Sequence, residues 1–176
     1  MKNIQTKNLV DFGLFTHAKD YYSAAQILKE NGPNNPYFIM LALSIECFLK
    51  SIRTKIEWND SVAIKVNHTK KTHDLSKIFH KIEINHPLDA EYLKNKYEIQ
   101  YSRSLKQDIE LNKTVFTDRR YPYSAKGGIP EVPLHSNDEG LRIPKDKKDK
   151  INIAVYVKEL EAVAKFLSDV LSKYID

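Results

Sequence analysis

The chain has 176 residues, 41% of them hydrophobic, which is enough for one domain with its own core and too short for two. No stretch reaches the unbroken apolar length of a membrane span, and Met1-Lys2-Asn3-Ile4-Gln5 lacks the apolar run of a signal peptide, so a cytoplasmic protein without membrane contact is expected. With 28 basic against 23 acidic side chains the formal charge is +5, an excess too small to announce a nucleic-acid partner by itself; where the charges lie matters more than their sum.

In chain order, Phe15, Ala18, Tyr22, Ala25 and Leu28 recur at helical spacing between Asp11 and Glu30, and Asn31-Gly32-Pro33 follows as a stop signal. After the turn Asn34-Asn35-Pro36, Leu41, Ile45, Phe48, Leu49 and Ile52 mark the most apolar helix of the chain. Its short link to the first predicts an antiparallel pair. Cys47 lies in this helix, where a lone thiol reads as a packing residue. After Ile52 the pattern weakens through Trp58-Asn59-Asp60, and for the stretch on to Asn67 a frayed helix end, a loop and a short extended piece all fit. Thr72 is a plausible N-cap for a short helix through Leu75, Ile78, Phe79 and Ile82 that ends at His86-Pro87.

From Asp89 to about Asn112 strong helix formers carry a narrow stripe of Leu93, Tyr97, Tyr101, Leu105 and Ile109, which reads as one long, partly exposed helix. Between 113 and 150 the prolines and glycines, Pro122, Gly127, Gly128, Pro130, Pro133, Gly140 and Pro144, exclude helix across most of the interval. The last segment, Ile151 to Tyr174, returns to helical period. The fold class is therefore all-α: an antiparallel four- or five-helix bundle in one domain over 1–176, with a long irregular loop at about 113–150 before the last helix.

Glu46 is the unusual residue of the core helix, a carboxylate on the border of its apolar face. It either pairs with Lys50 one turn on or reaches a cation on a neighbouring helix. Two later stretches supply candidates, Thr72-His73-Asp74-Leu75 and Arg119-Arg120-Tyr121-Pro122-Tyr123. The pattern Ala42-x-Ser44-Ile45-Glu46-x-x-Leu49-Lys50-Ser51, then His73-Asp74-Leu75 opening a helix, then Arg120-Tyr121-Pro122-Tyr123 after a long one, resembles the HEPN-domain family of small helical bundles. The resemblance covers about residues 15–125 and the last helix. It implies a partner in RNA or a nucleotide, a minimal nucleotidyltransferase as companion in a toxin–antitoxin or phage-defence pair, and a homodimer. RNA-cleaving members resemble one another in an Arg followed four to six residues later by His; here no arginine has one, the first His after Arg120 being His135.

A site assembled in space rather than in sequence remains open. Glu46, His73 and Arg120 form the candidate catalytic set: Glu46 to orient His73 or clamp Arg120, His73 as acid or base, Arg120 to take a phosphate bidentately. Arg119, Arg120, Tyr121, Tyr123, Lys70 and Lys71 form the candidate phosphate face, with the basic residues around Lys65 to Lys81 and around Arg142 to Lys150 as wider patches or as solvated loops. The alternative for the same residues is a buried polar network that docks the loop onto the bundle. No metal and no cofactor is expected. His68, His73, Asp74, His80 and His86 lack ligand spacing, and Gly127-Gly128 is followed by Ile129-Pro130 rather than by a phosphate loop. Three functions follow: an RNA- or nucleotide-binding module, a ribonuclease with a noncontiguous Arg/His site, or a dimerising structural protein.

Overall fold

Two helices joined by a tight turn set the frame. In a computed structural model, which describes residues 4–30, 34–59, 62–67, 72–120 and 155–172, α1 spans Phe12–Lys29 and α2 spans Asn35–Ser51. Each begins at a side-chain cap: Asp11 accepts from the Leu14 N–H at 2.8 Å, and Asn34 from the Tyr37 N–H at 2.9 Å with Pro36 in the first turn. Ala18 and Ala25, both fully buried, let α1 approach α2 closely. Tyr37, Phe38, Leu41, Ala42, Ile45, Phe48 and Leu49 are all at 0 or 1% exposure, so α2 is the central helix of the bundle.

Antiparallel packing of α1 and α2 brings the chain entering the pair beside the chain leaving it. β1 (Ile4–Leu9) and β2 (Thr54–Asn59) accordingly pair antiparallel, Leu9 opposite Thr54 and Ile4 opposite Asn59. The Asp11 N–H donates to the Ser51 carbonyl at 2.9 Å where the two segments meet. β3 (Val62–Asn67) pairs with β2 antiparallel, Lys55 opposite Asn67, with a register shift at Glu57/Trp58. The stretch that propensity left undecided is therefore a hairpin, and β2 is the middle strand of a three-stranded sheet beside the bundle. Arg53, which turns the chain from α2 into β2, has a φ of 54°.

The remaining helices are α3 (Leu75–Asn85), α4 (Pro87–Tyr101), α5 (Leu105–Leu111), α6 (Val115–Arg119) and α7 (Val157–Leu171). Among the described residues, α1, α2, α3, α4 and α7 exceed ten residues, and α3, α6 and α7 all pack on α2. A helical bundle is thus the architecture, as periodicity predicts. Leu160, Val163, Ala164, Phe166 and Leu167 close it from α7. No helix is long and apolar enough to cross a membrane among the described residues.

Three expectations are corrected. The long helix from Asp89 to Asn112 is two: Ser102 takes left-handed backbone, φ 53°, and Ser104 caps α5 by accepting from the Gln107 N–H at 3.3 Å. Asp74, not Thr72, caps α3, accepting from the Lys77 N–H at 3.0 Å; the Thr72 hydroxyl accepts instead from the Asp74 N–H at 3.2 Å. The interval read as irregular from 113 begins with a short helix, α6. The rest of that interval, 121–154, lies outside the described residues.

Candidate functional site

Glu46 is 5% exposed on the central helix and uses both oxygens. Oε1 accepts from Lys50 Nζ at 2.6 Å, and Oε2 lies 2.9 Å from His73 Nδ1, so the two pairings that stood as alternatives occur together. His73 is held from both sides in the chain. Thr72 and Asp74 are linked by their own hydrogen bond around it, and the Leu75 N–H donates to the Lys113 carbonyl at 3.1 Å, tying the start of α3 to the entry of α6. Burial works against the Asp74 carboxylate, but the Lys77 N–H and the Ser76 hydroxyl, at 2.8 Å, together hold it below its ordinary range.

Phe116 completes the arrangement. Its ring centroid lies 4.3 Å from that of His73, tilted by 36°, and the Arg120 guanidinium carbon lies 5.9 Å from the same centroid. Phe116 and Arg120 stand four residues apart, one helical turn, which presents both on one side of α6 and its end. The imidazole before α3 and the guanidinium after α6 therefore share one aromatic ring, and the acid of α2 reaches the imidazole from within the bundle. The His73 side chain is 47% exposed and Arg120 is exposed, whereas Glu46 is behind them in the bundle.

Because a carboxylate only accepts, the nitrogen facing Glu46 is the one that carries the proton in neutral His73, which leaves Nε2 to act as acceptor toward a ligand. An adjacent exposed guanidinium supplies charge and donors for a phosphate oxygen. The arrangement suits contact with a phosphodiester or a proton transfer beside one.

The other expected site residues are distributed differently. Arg119, assigned to the phosphate face, is buried at 7% exposure. Lys70, Lys71, Tyr121 and Tyr123 lie outside the described residues. Of the wider basic patch, Lys77 pairs with Asp74 at 3.3 Å, and His80 turns to Glu83 at 3.4 Å. Cys47, next to Glu46, is held as a thiol: burial, with Glu46 adding and Lys50 partly offsetting, pushes it up to about 11. Phe116 was missed by sequence reasoning, although its spacing to Arg120 within Phe116-Thr117-Asp118-Arg119-Arg120 was the available signal.

Arg103 was also passed over, because it has no histidine near it. Its guanidinium grips Asp108 through Nε at 3.0 Å and Nη2 at 2.9 Å, and Nη2 reaches Glu159 at 2.6 Å; the Tyr97 hydroxyl donates to Asp108 at 2.7 Å. The fork to Asp108 first, then Glu159, strengthens the arginine's hold on its proton. This centre joins α4, α5 and α7. It borders a groove of about 400 Å³ between α1 and α7 that Lys29, Lys158 and Lys165 also line. Most of the positive charge along that groove is already engaged. Lys29 is paired with Glu161 at 2.9 Å, Lys165 with Asp169 at 2.8 Å, and Arg103 with two acids.

Comparison of the chain with protein-family models, with curated proteins and with solved structures returned no match.

Proposed function

We propose that the chain is a HEPN-like module of the cytoplasm that binds the phosphodiester backbone of RNA at the His73, Phe116 and Arg120 surface. The observation that carries this reading is the shared ring: an exposed imidazole and an exposed guanidinium on one phenylalanine, with a buried carboxylate orienting the imidazole. Companionship with a minimal nucleotidyltransferase in a toxin–antitoxin or phage-defence pair follows from the resemblance and is tested by affinity capture of the tagged chain from its native cells.

The second reading, RNA cleavage, is favoured by one feature, the Glu46–His73 pair, which resembles an oriented general base. Native and denaturing gels of a fluorescent single-stranded RNA separate the two. Binding predicts retention without shorter products and a loss of roughly tenfold in affinity, about 1.4 kcal/mol, for Arg120→Ala with unchanged circular dichroism. Cleavage predicts fragments that vanish in both His73→Ala and Arg120→Ala. RNA that is neither retained nor cut defeats both readings.

A further inference from the structure

α4 has two apolar faces, one built into the core and one largely exposed. Ala90, Leu93 and Tyr97 point inward at 2% exposure or less, whereas Leu88, Tyr92 and Ile99 are 80, 41 and 81% exposed. At 100° per residue the outer set falls within about 40° of arc, roughly opposite the inner set. The spacing of 88, 92, 95 and 99, alternating four and three, is that of a seam between two helices. Asn95 takes the one polar seam position.

The charges beside this seam are the ones the bundle leaves over. Asp89 is engaged by Arg53 at 2.9 Å, and Lys94 by Glu83 at 3.3 Å. Glu91 and Glu98, along one margin of the outer stripe, and Lys96, along the other, have no ion-pair partner among the described residues. Lys96 leans over the Tyr92 ring, 5.8 Å from its centroid, which keeps its ammonium at the edge of the stripe.

We infer that this face pairs with the same face of a second copy, the two α4 helices running parallel about a two-fold axis along the seam. The direction comes from the margins. Antiparallel pairing sets each margin against itself, so Glu91 and Glu98 would face acids and Lys96 would face only Asp89, which Arg53 already holds; parallel pairing sets Glu91 of one copy against Lys96 of the other, five residues on, and does so twice by symmetry. A homodimer in general is implied by the resemblance, but which face pairs and in which direction comes from α4. The seam covers about two heptads, so the dimer is expected to dissociate in the micromolar range rather than to be permanent.

Sedimentation velocity of the full chain from about 1 to about 100 μM tests this. Expected are a concentration-dependent dimer, a rise of at least about tenfold in its dissociation constant for Ile99→Lys and for Leu88→Lys, weakening by Glu91→Lys or Lys96→Glu alone, and recovery when both charges are exchanged. Asn95→Cys should also give a disulfide-linked dimer on a non-reducing gel where wild type, with only Cys47, does not. A chain that stays monomeric overturns the inference and leaves the stripe to residues 121–154 or to another protein. A dimer indifferent to Ile99→Lys and Leu88→Lys uses another face, and failure of the charge exchange to restore pairing rules out the parallel direction. RNA enters none of these readouts, so this inference and the phosphate-binding reading fail independently.

Discussion

Two residues carry backbone or charge that their neighbours must compensate. Ser102 holds left-handed conformation at the end of α4, which costs a residue with a Cβ about 1–2 kcal/mol, less what the ordering of a glycine takes back. Ser102→Gly is therefore expected to raise stability by about 0.5–1 kcal/mol, read as an upward shift of the urea midpoint at unchanged slope. Arg103 presents the opposite case. Asp108 and Glu159 are 2% and 4% exposed, and Arg103→Ala strands both carboxylates in the interior. A loss of about 3 kcal/mol is expected in the same titration, and Arg103→Lys should recover only part of it, because a single ammonium does not reproduce the fork onto Asp108. Arg103 was silent in the sequence for a physical reason: its partners lie 5 and 56 residues away, and nothing in local periodicity announces the second.

At the scale of elements, the join of α3, α4 and α5 is organised by one carboxylate. Glu83, on α3, receives Lys106 at 2.9 Å, Lys94 at 3.3 Å and His80 at 3.4 Å. Burial alone would raise its pKa, but these three donors together lower it from the ordinary 4.5. Asp74 at the other end of α3 is lowered from 3.8. A depressed folded value means that the unfolded chain takes up the proton first as pH falls. The stabilisation is therefore complete above the ordinary values and is lost as pH drops through the folded ones. Glu83→Gln should be destabilised by about 0.5–1 kcal/mol at neutral pH, the pairs being partly exposed, and the gap to wild type should close as pH falls below the ordinary carboxylate range. Thermal melts across that range check it; a constant gap at all pH values would assign Glu83 a packing role instead. The existence of α1, α2, α3 and α7 was legible in the sequence because each carries its own apolar period and its own terminating signals. The break between α4 and α5 was not, since Ser102-Arg103-Ser104 contains no glycine or proline; the Ser104 cap and the turn of Arg103 onto Asp108 and Glu159 make the interruption favourable.

For the molecule as a whole, charge and placement decide different things. A net charge of +5 gives any RNA contact a long-range component, so retention of RNA is expected to fall steeply as salt is raised from about 50 to 200 mM. The fall should be shallower for Arg120→Ala, which removes one phosphate contact. Specific geometry, by contrast, comes from packing: α6 lies against α2, α3 is tied to the entry of α6, and His73 is thereby laid across Phe116. The sheet arises in the same manner, because strands on either side of a helical pair become neighbours only once that pair has formed. By itself the sequence determined α1, α2, α3 and α7, the core face of α2 and the identity of three candidate site residues, since apolar period, turn residues and residue chemistry are local properties. Only the tertiary structure decided that Glu46 meets His73, that His73 and Arg120 share the Phe116 ring, that Arg119 turns inward and that α4 keeps a second apolar face. Those outcomes depend on which helix packs against which, a choice made by contacts between residues far apart in the chain.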